Sequence, residues 1–481
     1  MRRTKIVCTV GPASQDEGVL RQIIRSGMDV ARLNFSHGDH PTHARNIALT
    51  RRLSSEEGRV VAVIQDLQGP RVRVGQIRDG QANLQANSTF TFTASQVPGD
   101  ARTASVLGAD LSKDVRPGDR ILVDEGLIEL RVEDVKSGDV TCRVINGGLL
   151  RPHKGINIPD VTLNIPTITD KDRIDLAFGA QQAVDFVALS FVRSGRDVIE
   201  ARKLLMAHGS DAPIIAKVEK HEAVDNFDSI LDAADGVMVA RGDLGVEMPL
   251  EQIPAVQKMI ISKCRTAGKP VITATQMLNS MIENPRPTRA EVSDIANAIY
   301  DGTDAVMLSG ETAVGSYPVE SVATMDKIAR ETERVLPYTE YLRRVTELAA
   351  HDVTDAISQA TVETAYELGA KAIVTMTTSG YTARMIAKHR PPTPILAATP
   401  AEKTRFRLAL TWGVQSPLQK EYRTTDELIE SAVDVAVSSG IAHEGDRIVI
   451  TAGVPLGGTG RTNFLKVHAI GEATSYPDKA P

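Results

Sequence analysis

Eight short apolar runs, mostly β-branched, recur along the chain: KIVCTV (5–10), MDVARL (28–33), VVAVIQ (60–65), DFVALS (185–190), PIIAKV (213–218), GVMVAR (236–241), PVITAT (270–275) and DAVMLS (304–309). Most neighbours are joined by an amphipathic helical stretch such as DEGVLRQIIRSG. Eight strands alternating with helices predict an α/β protein built on a closed (β/α)8 barrel, with an open doubly wound sheet as the alternative. The count, and the polar residues at most strand ends, favour the barrel. In either fold the C-terminal tips of the strands share one face, and active sites are built there.

The rhythm breaks between the third and fourth runs. Residues 71–165 are rich in Thr, Val, Gly and Asp, with turn signals RPGDR, KSGDV and NGG between alternating segments STFTFTA, RILVDEG and DVTCRVI. They read as an all-β insert over the site face, placed to act as a lid. Beyond residue 335, KAIVTMT, TPILAAT, WGVQSPL, DRIVITAG and FLKVHAI alternate with helices and read as a separate α/β domain. The division is 1–70 and 166–335 for the barrel, 71–165 for the insert and 336–481 for the last domain.

Composition excludes several classes. A net charge of −6 argues against nucleic-acid or anionic-membrane partners, so an anionic substrate needs a local basic pocket. Cys8, Cys142 and Cys264 lack zinc or disulfide spacing, and a reducing cytoplasm is expected. No run has the length of a membrane helix, and MRRTKIVCTVG fails as a signal peptide because its apolar run stops at Gly11-Pro12.

The strand tips carry the chemistry. Lys217 and Glu219 end the fifth run, pointing to one side of it, and Asp243 follows the sixth. Two carboxylates on adjacent tips suit Mg2+ or Mn2+, which prefer oxygen ligands; a buried Lys–Glu ion pair is the simpler reading. The second tip brings Arg32, Asn34, Ser36 and His37, and guanidinium binds phosphate or carboxylate bidentately. A capped surface loop competes with that reading. The third brings Asp66, then Arg71 and Arg73 beyond a Gly-Pro turn; the seventh brings Thr275, the eighth Ser309 and Glu311. Gly242 and Gly245 let backbone approach a ligand. The motifs GxxxxGK[ST], HExxH and a strand-placed GxGxxG are absent.

From TKIVCTVGPAS, MDVARLNFSHG, IIAKVEKHEAVDNFDSIL, GVMVARGDLGVE, VITATQMLNSM, PTRAEVSDIANAIYDGTDAVMLSGETAVG and GGTGRTN, the chain resembles the pyruvate kinase family along its whole length. The resemblance implies a TIM barrel, a small β-barrel lid after its third strand, a C-terminal α/β regulatory domain, a homotetramer, and phosphate transfer from phosphoenolpyruvate to ADP. By position, it implies that Arg32 binds the phosphoryl group and Lys217 stabilises it in transfer. Glu219 and Asp243 hold the divalent metal. The Gly242 backbone and Thr275 contact the substrate carboxylate, Thr275 also lying near the carbon that gains a proton. Arg73, His37 and Lys154 face the nucleotide phosphates and Pro12 the adenine. Asn34, Ser36 and Asp66 match the family's monovalent-cation site, Asn34 standing also among the nucleotide-facing residues.

DLQGPRVRV resembles the branch that works without K+, which usually has lysine at Arg71. Two unit charges ~5 Å apart at an effective dielectric of ~20 interact by ~3 kcal/mol, so a fixed cation can replace the ion, and K+ independence is expected. The Ser-Gly turn of TTSGYTAR (Thr377, Thr378, Ser379, Gly380, Thr382) and the loop VPLGGTGRTN (Gly458, Gly460) are the candidate effector site. Tyr381 replaces a basic residue frequent in fructose-bisphosphate-responsive members, which points to a sugar monophosphate or AMP. A metal-dependent lyase or aldolase on a 2-oxo acid, and a scaffold that keeps the fold, remain the alternatives. The first needs no nucleotide site and the second no filled active site.

Overall fold

The structure, a computed structural model, describes residues 2–159, 161–341, 352–456 and 460–474. Gly458 therefore lies outside the described residues.

Eight parallel strands close into a barrel: β1 (Lys5–Thr9), β2 (Val30–Asn34), β3 (Ala62–Asp66), β4 (Phe186–Leu189), β5 (Ile214–Val218), β6 (Gly236–Ala240), β7 (Val271–Ala274) and β8 (Ala305–Leu308). The ring closes through β1 against β8, with Lys5 beside Ala305. The open-sheet alternative is thereby set aside. Alternation along each strand builds two cores. Val7, Val30, Ile64, Ala188, Ile215, Met238, Ile272 and Met307 fill the barrel. Their neighbours, such as Ile6, Cys8, Ala31, Val63, Val187 and Val237, pack outward against the helices.

The helices start and stop on local signals. Thr288 and Glu291 form a capping box at the start of Arg289–Asp301, and Gly302, left-handed at φ 97°, ends it. Asp16 caps Glu17–Ser26 with its side chain alone, accepting from the amides of Gly18 and Val19.

Between β3 and β4 the chain leaves the barrel at Gly69 (φ 66°), where a Cβ would lie 2.9 Å from the Phe191 ring. The insert is a barrel-like seven-stranded sheet with a separate two-stranded ribbon, Ala82–Leu84 against Gly148–Leu150. The predicted segments form strands Thr89–Thr93, Arg120–Val123 and Asp139–Asn146 around a core including Phe90, Phe92 and Leu130.

The C-terminal unit has five strands: β9 (Ala372–Met376), β10 (Ile395–Ala398), β11 (Val414–Gln415), β12 (Arg447–Ala452) and β13 (Phe464–Ala469). Their order is β11-β10-β9-β12-β13, parallel except for the last pair. It plugs the barrel floor: Ala409 and Leu410 join the barrel's interior cluster. Arg390 bridges Asp304 at 3.1 Å and lies 5.0 Å from the buried Trp412 ring.

Candidate active site

At the tips of β2, β3 and β5, ions form a continuous buried chain. Arg32 Nε donates to Asp66 Oδ2 at 2.6 Å. Asp66 Oδ1 lies 3.1 Å from Lys217 Nζ, which lies 2.8 Å from Glu219 Oε1. All four side chains are buried. The strands dictate this: Arg32 pairs with Ile64 and Asn34 with Asp66 across β2 and β3, so charged residues near the same strand ends meet over the barrel mouth.

Hydrogen bonds fix the rest of the chain. Arg32 Nη1 donates to Thr9 Oγ1 at 2.9 Å, and Nη2 makes no hydrogen bond among the described residues. Lys217 Nζ also donates to Ser190 Oγ at 2.7 Å, whose hydroxyl donates to the Leu67 carbonyl at 2.8 Å. Glu219 Oε2 accepts the Phe191 amide at 2.7 Å. Burial alone would lower the Lys217 ammonium, but Asp66 and Glu219 more than offset it and raise its pKa. Burial likewise opposes ionisation of Asp66, yet Arg32 and Lys217 hold its carboxyl below the usual range. Glu219 goes the other way: burial, with the negative charge of Asp243 nearby, outweighs Lys217 and raises it.

Asp243 sits in the first turn of the short helix Arg241–Glu247 that follows β6. Glu219 and Asp243 thus face one another electrostatically at adjacent tips, a donor set that a divalent cation would neutralise. Among the described residues no group of three or more His, Cys, Asp or Glu forms a metal site by itself, so remaining ligands would come from substrate or water.

Thr275 Oγ1 accepts the Gly242 amide at 2.8 Å and donates to the Ala274 carbonyl at 2.6 Å. Thr275 is left-handed (φ 71°), a conformation rare for a β-branched residue, and Gln276 follows it at φ 55°. Gly242 keeps its surroundings open, the nearest atom to a built Cβ being Thr275 Oγ1 at 3.5 Å. Gly245 instead makes room for Leu250, 2.8 Å from a built Cβ. Glu311 is structural: it turns inward and accepts the amides of Ser309 and Leu278.

Basic residues gather on the other side of the mouth. A cleft of about 270 Å3 between insert and barrel is lined by Arg71, Arg73, Lys154, Arg193, Lys220 and Asp243, among others. His37 feels Arg71, Arg73 and Arg32; partial burial and these charges keep its imidazole below the usual range, hence neutral near pH 7. Lys154 pairs with Asp124 at 2.8 Å inside the insert. Arg71 Nη2 donates to Ser36 Oγ at 3.3 Å, and the Ser36 amide donates to Asn34 Oδ1 at 3.1 Å. Asp66, the register partner of Asn34, gives its two oxygens to Arg32 and Lys217. Pro12 is exposed in the loop after β1. The insert is held to the barrel by Asn157 Nδ2 to Glu247 Oε1 at 2.8 Å, an oxygen shared with Lys220 at 2.9 Å, and by Thr162 Oγ1 to Glu222 Oε1 at 2.9 Å.

In the C-terminal unit, Thr377, Thr378, Ser379, Thr382, Gly460 and Arg461 line a small cavity of about 30 Å3. Thr377 Oγ1 accepts the Gly380 amide at 3.0 Å, and Thr382 is tied to Thr462, oxygen to oxygen, at 3.0 Å.

Reading by motif missed Ser190, Phe191, Arg241 and Glu247. Ser190 ends the DFVALS run and Arg241 the GVMVAR run, so tip position was the available signal.

Comparison with known proteins matches this chain to one family. The family description pyruvate kinase, barrel domain, covers residues 1–322, and pyruvate kinase, alpha/beta domain, covers residues 355–468. The chain is 52% identical to the pyruvate kinase of Geobacillus stearothermophilus over 98% of its own length and 81% of that protein. It is 47% identical to the pyruvate kinase of Clostridium acetobutylicum over 98% and 100%. The crystal structure of a pyruvate kinase from Cryptosporidium parvum superposes with a TM-score of 0.93 at 36% identity, covering 98% of this chain and 96% of that one.

Proposed function

The chain belongs to the pyruvate kinase family and is a phosphotransferase, and from that premise we propose that it moves the phosphoryl group of phosphoenolpyruvate to ADP, giving pyruvate and ATP. The observation that carries the reading is the buried chain Arg32–Asp66–Lys217–Glu219 beside Asp243, a cationic pair and a carboxylate pair at one barrel mouth.

In the proposed reaction, the free Nη2 of Arg32 and the Lys217 ammonium receive the phosphoryl oxygens. The terminal phosphate of ADP attacks phosphorus in line, and the bond to the enol oxygen breaks. Phosphoryl transfer needs positioning and charge neutralisation more than covalent help, which suits fixed cations. Glu219 and Asp243 would hold Mg2+ or Mn2+, which when bound supplies Lewis-acid stabilisation of substrate oxygens. The Gly242 amide, which donates to Thr275 Oγ1, and the Thr275 hydroxyl, which donates to the Ala274 carbonyl, turn to the substrate carboxylate. The enolate carbon then takes a proton on the Thr275 side. Arg73, His37 and Lys154 contact the nucleotide phosphates, with Asn34 nearby, and Pro12 meets the adenine.

In this reading the chain comprises barrel (1–70, 166–335), lid (71–165) and regulatory domain (336–481). The Arg71 guanidinium beside Ser36 supports K+ independence, its charge serving where Asn34, Ser36 and Asp66 would otherwise share an ion. A sugar monophosphate or AMP is the proposed effector at Thr377, Thr378, Ser379, Gly380, Thr382, Gly460 and Gly458. The working form is a cytoplasmic homotetramer with no nucleic-acid or membrane partner; no described helix is long and apolar enough to cross a membrane.

The test is pyruvate formation from phosphoenolpyruvate and ADP with Mg2+ in K+-free buffer and again with K+. Turnover is expected in both, and sigmoidal dependence on phosphoenolpyruvate relieved by one of the effectors is expected alongside. No turnover from folded protein with either metal overturns the activity.

A further inference from the structure

A second cavity, about 280 Å3, lies between the barrel floor and the C-terminal unit, on the face opposite the strand tips. Phe186, Pro213, Asp235 and Pro270, at or just before the starts of β4 to β7, bound it from above. Six of its lining residues are ionisable as charges: Arg202, Lys269, Arg384 and Arg407 against Asp211 and Asp235.

Both carboxylates are already engaged. Asp235 Oδ2 accepts from Arg202 and from the Ile214 amide, each at 2.8 Å. Asp211 Oδ1 accepts from Arg407 at 2.8 Å and Lys403 at 3.0 Å. Lys269 and Arg384 have no salt-bridge carboxylate among the described residues. Lys269 Nζ donates to the carbonyls of Leu231 and Asp232, and Arg384 Nη1 reaches only the Ser379 carbonyl, at 3.4 Å. Burial lowers the pKa of both, the mark of positive charge without full compensation. A half-buried guanidinium and an ammonium, set around a cavity of this size with both neighbouring acids taken, match a dianion that guanidinium can grip by two oxygens. The Phe186 and Tyr381 side chains give the wall an apolar part for a short carbon chain.

We infer that this inter-domain cavity binds a small organic phosphate monoester between Arg384 and Lys269. Ser379 and Tyr381 also line the small cavity on the far side of the same turn. The turn is therefore a shared wall, and a ligand beneath it bears on any ligand above it. The inference stands apart from the active-site reading and from the effector reading of the turn.

Calorimetric titration with glycerol 3-phosphate, in Mg2+-free buffer, tests it. One binding event is expected in the unaltered protein. Arg384→Met and Lys269→Met, each checked for fold by circular dichroism, weaken it by about tenfold or more. Arg461→Met, on the far side of the turn, and Lys217→Met, in the barrel mouth, leave it in place. If Arg384→Met does not fold, Lys269→Met decides alone. Absence of binding at millimolar concentration, or equal affinity in a folded Arg384→Met or Lys269→Met protein, overturns the proposal. So does loss confined to Arg461→Met or to Lys217→Met, which moves the ligand to the effector turn or to the active site.

Discussion

Arg241 Nη2 donates to the Thr275 carbonyl at 2.8 Å, spanning the tips of β6 and β7. Its Nη1 is anchored 2.8 Å from Asp294, and its Nε reaches the Ala274 carbonyl at 3.3 Å. A β-branched residue in the left-handed region costs about 1–3 kcal/mol and persists only where its surroundings hold it. Arg241 supplies that hold for Thr275, directly beside the Gly242 amide.

Arg241 is thus a positioning residue. In Arg241→Met, Thr275 relaxes and kcat falls by about 10–100-fold, the scale of a 1 Å misplacement, while KM for ADP stays. Arg241→Lys does not rescue, since one ammonium cannot replace a planar fork that meets Asp294, Ala274 and Thr275 together. Steady-state kinetics on the two variants check this; a rise in KM for ADP at unchanged kcat places Arg241 elsewhere in the reaction.

Lys217→Met removes a buried cation from between Asp66 and Glu219. The expected loss is about 10²–10³ in kcat, the value of one well-placed electrostatic donor. Leaving Glu219 without its partner costs about 3 kcal/mol of stability, so the variant folds but melts earlier. Pyruvate production and thermal melting are the measurements. Near-normal turnover removes Lys217 from the reaction.

The barrel was legible because its strands are buried on both faces and read as continuous β-branched runs, which few other structures tolerate. GVMVAR, for example, contains Gly236–Ala240, and PIIAKV contains Ile214–Val218. Lys217 and Glu219 stood out because charge at the end of such a run is costly unless used. Ser190 and Arg241 lie at equivalent run ends but were missed. A serine at a strand end reads as a cap, and an arginine there reads as a solvated charge. Only the parallel pairing of β4 with β5 puts Ser190 against Lys217, and only the helix Arg289–Asp301 brings Asp294 to Arg241. The lower cavity was invisible for the same reason, its charges being drawn from positions 202 to 407.

Arg71 reaches Ser36 at 3.3 Å from a loop beyond the Gly69 turn. If its charge stands in for a monovalent ion, turnover of the unaltered enzyme is the same with and without K+. In Arg71→Glu that charge is reversed. At ~3 kcal/mol for a unit charge near the site, loss of the cation alone lowers activity without K+ by about 10² and the reversal lowers it further, and added K+ restores much of it. Equal K+ response of the two proteins would discard the role given to Arg71.

His389 is fully buried, and neither ring nitrogen has a hydrogen-bond partner among the described residues. Burial, reinforced by Lys388 and Arg265, pushes its pKa down to about 3. The unfolded imidazole titrates near 6.5, so below that pH the unfolded chain binds a proton that the folded chain refuses. The stability His389 allows is complete above pH ~6.5 and drains away as pH falls toward the folded value. At pH 5 the loss from this residue is about 2 kcal/mol. Trp412, the chain's single tryptophan, is buried against the neighbouring Arg390 and reports the C-terminal unit by fluorescence. Urea unfolding followed at Trp412 should show a pH 7.5 to pH 5 drop that shrinks by about that amount in His389→Leu, whatever the absolute stability of the variant. An identical pH dependence in both proteins would mean that His389 takes up its proton in the folded state.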